Sequence, residues 1–354
     1  MSMGVVEHLG VPAAPMVVAE YWKADYLFWV FPAMIAAGLL SGIGLLLILL
    51  SIKFYARYTC GMYKRKTKMD GKTVIITGCN SGIGKETAKD LAMRGARVIM
   101  ACRNIEMAEK VKDEIIDITN NKNVIVKKLD LSSFASIRAF AEDINTTEPR
   151  LDVLIHNAGY ADLLKKRKSA DDIELTLATN HYGPFLLTHL LIKLLKKSSP
   201  SRIVVVASSL YRLGYFNINN PNPVNDFSGY QYYVSKEANI LFTKELSRRL
   251  EGTGVTVNCL HPGLIDTGIW NSIPRPLSWF WNLVIKGFFK TPTEGCQTTV
   301  MLAVDEDLLK TTGKYFSDCQ ESSVSNTASD MKRAKKIWEI SEKMVKLDEN
   351  DPRI

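Results

Sequence analysis

Two adjacent tyrosines and a lysine stand in the segment GYQYYVSKEANI, residues 229–240. A tyrosine phenol can donate a proton to an oxygen atom or remove one from it, but its pKa near 10 makes it a poor base at neutral pH. A lysine ammonium one helical turn away favours the phenolate and lowers that pKa. The segment therefore indicates proton transfer at an alcohol or carbonyl oxygen, and leaves open which tyrosine performs it.

Glycines at the end of the first β-rich run indicate a phosphate-binding turn. The segment TVIITGCNSGIGKETA places Gly78, Gly82 and Gly84 where a strand passes into a helix. Such glycines allow a tight turn and a close backbone approach to a pyrophosphate at the helix N-terminus. Three glycines beside a strand are also typical of ordinary turns, so the motif needs support from the rest of the chain.

The elements that must position these residues alternate along the chain. Short apolar runs such as TVIIT, RVIMA, DVLIH and RIVVVA are separated by longer segments with helical spacing, such as KETAKDLAMRG. Apolar strands alternating with helices predict a parallel sheet that is covered on both faces. Residues 71–354 are therefore predicted to form a single doubly wound α/β domain of the Rossmann type, with a C-terminal helix.

The glycine spacing G-x-x-x-G-x-G resembles that of the short-chain dehydrogenase/reductase family, and the resemblance continues to the end of the chain. HNAG at 156–159, TNHYGPF, RIVVVASSL and HPGLIDT follow in the family's order. The family pattern Tyr-x-x-x-Lys selects Tyr232 and Lys236, which share one helix face, while Tyr233 is expected to pack or to lie on the surface.

The resemblance implies a role for each matching residue. It implies that Tyr232 transfers the proton, that Ser209 binds the substrate oxygen, that Lys236 also holds the nicotinamide ribose, and that Asn180 supports a proton-relay water. Ser209 and Tyr232 would contact the substrate. His156 replaces the family's usual asparagine and is expected to be structural. The implied cofactor-binding residues are Gly78, Asn80, Ser81, Gly82, Ile83, Gly84, Arg103, Asp130, Leu131, Asn157, Ala158, Gly159, Tyr232, Lys236, Pro262 and Thr267.

Arg103 bears on the choice of cofactor. Sheets that bind NAD usually carry an acidic residue at the end of the second strand, where it accepts the ribose hydroxyls. In MACRN this place is taken by Arg103. A guanidinium suits the extra phosphate of NADP, so NADP(H) is predicted in preference to NAD(H).

Further features resemble the membrane-anchored retinol dehydrogenases within the family. They are the long polar insert after the serines, the segments MACRN, KTPTEG, GKYFSDC and AKKIWEIS, and an apolar N-terminal stretch. The resemblance implies an oxidoreductase that interconverts a lipophilic alcohol and its carbonyl, with retinol and retinal first. Steroids, isoprenoids and fatty aldehydes are alternatives, and a catalytically silent NADP-binding membrane scaffold is a hypothesis of another class.

The N-terminal stretch predicts a membrane anchor. Residues 26–52 carry no charge, and as a helix they would span ~40 Å, enough to cross a hydrocarbon core of ~30 Å. The basic residues of 53–70 place the following domain in the cytosol. The predicted organisation is a lumenal segment 1–25, a single-pass transmembrane helix 26–52, a linker 53–70 and the catalytic domain, in the endoplasmic reticulum.

Composition excludes other classes. The formal net charge of +8 is modest and partly lies beside the apolar stretch, so nucleic-acid binding is not indicated. The six cysteines are scattered without a C-x-x-C pair, which favours reduced thiols and predicts no metal site. A homo-oligomer is compatible with the sequence.

One aromatic segment predicts contact with lipid. Residues 270–290 hold three of the six tryptophans, together with Arg275, Lys286 and Lys290. Two interpretations are open: a core or oligomer helix, or an apolar substrate lid that dips into the membrane surface with its cations near the headgroups.

Overall fold

The computed structural model describes residues 40–48, 50–51, 53–54, 58–162, 165–265 and 289–354. The contacts within the chain divide it into two compact units, Met1–Tyr58 and Thr59–Ile354. In the first unit, the described residues between 40 and 54 are helical, and their leucines and isoleucines are mostly exposed. Most of the predicted anchor lies outside the described residues. Within the described residues, no helix is both long and apolar enough to cross a bilayer.

The second unit is built on one eight-stranded sheet. Its order is β3-β2-β1-β4-β5-β6-β7-β8, with every neighbouring pair parallel except the antiparallel β7 and β8. The strands are β1 Thr73–Thr77, β2 Arg97–Cys102, β3 Val124–Lys128, β4 Val153–His156, β5 Ser201–Val206, β6 Val255–His261, β7 Tyr315–Ser317 and β8 Gln320–Ser322. The predicted doubly wound fold is confirmed.

Helices follow the strands on both faces. They are α1 Gly82–Met93, α2 Ile105–Thr119, α3 Phe134–Thr147, α4 Gly183–Lys197, α5 Ser228–Arg249, α6 Pro292–Gly295, α7 Gln297–Val304, α8 Asn326–Ser329 and α9 Met331–Met344. A short turn at Leu175–Leu177 and a π-helical segment at Ala178–Tyr182 lead into α4, and 3₁₀ turns lie at Ser209–Leu213 and Glu306–Leu308.

The apolar runs of the central strands are buried because both sheet faces are covered. All five residues of β1 are buried, and successive side chains point to opposite faces. Ile75 belongs to one hydrophobic cluster, with residues of α3, α4, α5 and α9. Val74 and Ile76 belong to the other, with residues of α1, α2 and α7. Such burial explains why these strands read as continuous apolar segments rather than alternating ones.

The strand order also explains where the functional groups meet. The chain moves outward from β1 to β2 and β3, then returns to place β4 on the other side of β1. In an open parallel sheet, this reversal opens a crevice at the carboxyl ends of the strands. The loops after β1, β2, β4 and β5 all end there.

Candidate active site

A cleft of about 600 Å³ lies at the carboxyl ends of the strands. It gathers segments that are far apart in the chain, from the glycine turn after β1 to the loop after β6. The predicted cofactor residues within the described part of the chain all line it: Gly78, Asn80, Ser81, Gly82, Ile83, Gly84, Arg103, Asp130, Leu131, Asn157, Ala158, Gly159, Tyr232, Lys236 and Pro262.

The turn after β1 is packed so closely that only glycine fits at two positions. A Cβ on Gly78 would lie 2.8 Å from the Cα of Ala158, and the φ of Gly78 is +66°. A Cβ on Gly84 would lie 2.4 Å from the carbonyl oxygen of Gly78. Asn157 fixes the turn from β4, since its side-chain amide donates to the carbonyls of Thr77 and Gly78, each at 2.9 Å.

The first turn of α1 is open to the cleft. Ser81 occupies the N-cap position but makes no capping hydrogen bond through its side chain, and the turn contains no acidic residue. By contrast, Asn104 caps α2 through its side chain. Free backbone N–H groups at a helix start favour an anion such as a phosphate.

Cationic and polar groups lie at the end of the cleft that is formed by the loops after β2 and β3. Arg103 follows β2 and is exposed, and it makes no ion pair with any described residue. Asp130 accepts hydrogen bonds from the backbone N–H and the hydroxyl of Ser132, at 2.9 and 2.6 Å. The cradle of glycines, open helix start and free cation fits a dinucleotide with phosphates.

Tyr232 and Lys236 meet at the opposite end of the cleft, one turn apart on α5. The Lys236 ammonium lies 5.4 Å from the centre of the Tyr232 ring and donates to the Val206 carbonyl at 2.9 Å. Burial lowers the pKa of Lys236 to about 8. Burial raises the pKa of Tyr232 to about 12, and a hydrogen bond from Ser208 opposes this rise. Burial thus acts on the Tyr232 pKa in the direction opposite to the effect expected of Lys236.

The serine in the cleft is Ser208, not the predicted Ser209. Ser208 lines the cleft with Tyr232, and its hydroxyl acts to lower the Tyr232 pKa. Ser208 has extended backbone angles at the end of β5, whereas Ser209 begins the following 3₁₀ turn. Because the chain turns between them, only the first serine is directed to the strand-end crevice. The sequence assignment is corrected by one residue.

Asn180 lies behind the cleft wall, in the π-helical segment before α4. It is buried, accepts from the backbone N–H of Tyr160 at 2.8 Å and donates to the Tyr160 carbonyl at 2.9 Å. It also donates to the hydroxyl of Ser235 at 3.0 Å. Asn180 thus holds Tyr160, a residue of the cleft wall, against α5.

The structure adds wall residues that the sequence motifs did not reveal. Tyr160, Leu210, Leu264 and Ile265 also line the cleft. Tyr233, expected to pack or to lie on the surface, also lines it, with its ring centre 6.2 Å from that of Tyr232. Leu210, Leu264, Ile265 and Tyr233 lie within segments that resemble family motifs, and Tyr160 directly follows one, but the motifs do not specify which neighbouring side chains reach the cleft.

Three further predictions concern Thr267, the aromatic segment 270–290 and His156. Thr267 and most of the aromatic segment 270–290 lie outside the described residues. At the end of that segment, Lys290 is paired with Asp318 rather than free for headgroups. His156 is buried with its Nε2 2.8 Å from the Thr188 hydroxyl, and burial lowers its pKa to about 3, as befits a structural histidine.

The family profile described as short chain dehydrogenase matches residues 72–277. The chain therefore belongs to the short-chain dehydrogenase family, and is an oxidoreductase that uses a nicotinamide cofactor and acts on alcohols.

Proteins similar in sequence identify the subgroup of the family to which the chain belongs. The chain is 47% identical to mouse retinol dehydrogenase 14 over 291 residues, which cover 78% of this chain and 86% of that protein. It is 44% identical to mouse retinol dehydrogenase 11, over 86% of this chain and 95% of the relative. The chain falls within the retinol dehydrogenase subgroup.

Solved structures agree with the fold. An uncharacterized protein from Mycobacterium paratuberculosis aligns over 80% of this chain and 96% of its own, with a TM-score of 0.65 and 30% identity. A short chain dehydrogenase from Escherichia coli complexed with NADPH aligns over 73% of this chain and all of its own, with a TM-score of 0.58 and 26% identity.

Proposed function

We propose that this protein is an NADP-dependent oxidoreductase that interconverts a lipophilic alcohol and its aldehyde or ketone, with retinol and retinal as the first pair. The observation that carries the proposal is that Tyr232, Ser208 and Lys236, from two separate parts of the chain, line the same cleft, with the Lys236 ammonium 5.4 Å from the centre of the Tyr232 ring. The retinol dehydrogenases among its relatives support the substrate.

Tyr232 and Ser208 act on the substrate oxygen in different ways. In reduction, the Tyr232 hydroxyl donates a proton to that oxygen, and in oxidation the phenolate removes one. The Ser208 hydroxyl donates a hydrogen bond to the same oxygen and stabilises the charge that develops there. Lys236 and the Val206 carbonyl fix the position of the ammonium beside the ring. The nicotinamide supplies or accepts the hydride when it is bound.

Arg103 supports NADP as the cofactor. Its exposed guanidinium stands at the carboxyl end of β2, on the wall of the cleft where an adenosine ribose would lie in this fold. A guanidinium can bind a phosphate through two parallel N–H bonds. Asp130 already accepts two hydrogen bonds from Ser132. It is therefore less available to accept hydrogen bonds from the ribose hydroxyls of NAD.

The side chains around Tyr232 support a lipophilic substrate. Leu210, Leu264, Ile265, Tyr160 and Tyr233 add apolar surface to the lining of the cleft. A polyene or another long apolar chain would lose water against these surfaces, which favours its binding. A cytosolic domain on a single-pass membrane anchor in the endoplasmic reticulum would bring this wall to substrates dissolved in the bilayer, and self-association is compatible with it.

The test is NADPH oxidation by detergent-solubilised enzyme with all-trans-retinal, beside steroid, isoprenoid and fatty carbonyls. Tyr232→Phe is expected to remove turnover, and Tyr233→Phe, which deletes the neighbouring hydroxyl, is the matched control and is expected to retain it. Turnover of another lipid alone would replace retinal as the substrate. NADPH binding without any turnover would overturn the enzymatic proposal in favour of a cofactor-binding scaffold.

A further inference from the structure

Glu237 directly follows Lys236 and is a buried carboxylate with no role in the proposed proton transfer. The Glu237 side chain is only 1% exposed, and burial raises its pKa. Burying a carboxylate is costly unless it is paired and hydrogen-bonded. Its partners therefore indicate what this residue is for.

Glu237 joins three separate parts of the fold. Its carboxylate accepts from the backbone N–H of Phe216 at 2.5 Å, and from the guanidinium of Arg333 on α9 at 3.0 and 3.2 Å. The Arg333 guanidinium in turn stacks over the Tyr215 ring, 4.0 Å from its centre. Residues 215 and 216 are thus held from both sides, by α5 through Glu237 and by α9 through Arg333.

Residues 209–216, which we name the entrance segment, form part of the cleft wall. Leu210 lines the cleft, and Gly214 packs so closely on α5 that a Cβ there would lie 2.3 Å from the carbonyl oxygen of Tyr233, another wall residue. Leu213 is 61% exposed at the same segment. The entrance segment therefore contributes Leu210 to the cleft wall and packs on α5 against the backbone of Tyr233, a second wall residue.

The serine of the site is held independently of this arrangement. Ala207, the residue before Ser208, donates its backbone N–H to the Leu260 carbonyl on β6 at 2.8 Å. The polar insert between Ser209 and Tyr232 continues beyond the entrance segment. There it is held by a different contact, since the Tyr182 hydroxyl donates to the Pro221 carbonyl at 2.7 Å. A change at Glu237 would therefore displace the entrance segment more than the reacting groups.

We infer that Glu237 is a positioning residue, which with Arg333 fixes the entrance segment and thereby sets the binding of a bulky lipophilic substrate. This inference rests on the proposed function, because it concerns the substrate end of the same cleft. Its expected signature is a change in KM for the lipid carbonyl with little change in kcat or in the affinity for NADPH.

Two double variants of the full-length enzyme test it. Glu237→Met with Arg333→Met removes both charges and the acceptor for the Phe216 N–H. Glu237→Gln with Arg333→Met removes the same charges but keeps an amide oxygen as acceptor. Since both pairs are neutral, neither leaves an unpaired buried charge. They differ in the amide of Gln, whose oxygen can accept from the Phe216 N–H.

The Met pair is expected to raise KM for all-trans-retinal about tenfold, the equivalent of losing one net hydrogen bond of about 1.4 kcal/mol. Its kcat and its Kd for NADPH should stay within about twofold of the wild type, and amide hydrogen exchange at Phe216 should accelerate. The Gln pair loses the Arg333 stack on Tyr215 but keeps an acceptor for the Phe216 N–H, so its rise in KM and its Phe216 exchange rate should both be smaller than those of the Met pair.

Equal KM values and equal Phe216 exchange in the two pairs would overturn the inference, as would a parallel loss of kcat and NADPH binding in the Met pair. If the Met pair does not fold, Glu237→Asp withdraws the acceptor while keeping the charge, and is expected to show the same rise in KM. A wild-type enzyme that does not reduce retinal would refute the proposed substrate, whereas the exchange comparison would still decide the role of Glu237.

Discussion

Two residues with hydroxyl groups, Ser208 and Tyr232, line the same cleft. The adjacent residues Ser209 and Tyr233 carry the same groups but have different surroundings: Ser209 starts a 3₁₀ turn and Tyr233 contributes to the cleft wall. Each of the two positions therefore has a chemically identical neighbour, which can serve as its control.

The serine correction gives a first prediction. Ser208→Ala is expected to lower kcat by about 10²–10³-fold, because it deletes a donor to the developing oxyanion. Ser209→Ala should leave kcat within about twofold. Steady-state kinetics of the two variants with NADPH and retinal would decide between them, and the reverse ranking would restore Ser209 as the serine of the site.

The pKa of Tyr232 gives a second prediction. With its pKa raised to about 12, the phenol is protonated, and ready to donate, throughout the neutral range. The phenolate needed for oxidation is scarce at pH 7 and grows by up to about tenfold per pH unit. Alcohol oxidation is therefore expected to accelerate from pH 7 to 9.5 while carbonyl reduction does not. Measuring kcat in both directions checks this, and a reduction rate that rises more steeply would contradict it.

At the scale of elements, parallel strands deliver unrelated side chains to one edge. β2 ends at Cys102 and presents Arg103 to the cleft, just as β5 presents Ser208. The residue at the end of a strand can therefore decide cofactor choice without altering the sheet.

Arg103→Asp is expected to weaken NADPH binding by about 10–100-fold, since charge-assisted bonds contribute about 1.5–3 kcal/mol, and to favour NADH. Lys122→Asp makes an equal change of charge at an exposed position before the amino end of β3, whereas Arg103 follows the carboxyl end of β2, and it should leave the preference unchanged. Fluorescence titration with both cofactors provides the measurement. An unchanged preference in Arg103→Asp would remove the argument for NADP.

The C-terminal helix α9 is fastened to the domain by an aromatic cluster. Trp338 is 1% exposed, and its ring centre lies 4.8 Å from that of Phe185 and 5.9 Å from that of Phe242. The guanidinium of Arg249 on α5 lies 4.4 Å from the Trp338 ring centre. This helix also supplies Arg333 to the entrance segment.

Trp338→Ala is expected to lower the free energy of unfolding by about 3–5 kcal/mol, because the removed ring leaves a cavity in packed surroundings. Met331→Ala, at an exposed position of the same helix, should change it by about 0.5 kcal/mol or less. Urea denaturation measures both, and similar small effects would show that α9 is not part of the cooperative core.

At the scale of the whole molecule, the cleft lies entirely within the unit that starts at Thr59. The uncharged residues 26–52 precede it, and they are long enough to span a bilayer as a helix. We expect full-length protein to remain with membranes after an alkaline carbonate wash, and a chain lacking residues 1–58 to become soluble and still bind NADPH. Extraction of the full-length protein by carbonate would refute a transmembrane anchor.

The sequence alone determined the doubly wound fold, the glycine turn and the pair of Tyr232 and Lys236. Each of these depends on local regularities: apolar strands alternating with helices, glycines where a strand meets a helix, and a four-residue spacing on one helix face. These regularities are readable because they recur within a few residues along the chain.

Only the tertiary structure decided between Ser208 and Ser209, showed Tyr233 in the cleft wall, and set the pKa of Tyr232 above its ordinary value. The first two depend on where the chain leaves β5 and how its loop packs on α5, which no local pattern specifies. The third depends on desolvation by residues far apart in the sequence, because burial is a property of everything that surrounds a group. For the same reason, Glu237 is unremarkable in the sequence and gains a role only through its contacts with Phe216 and Arg333.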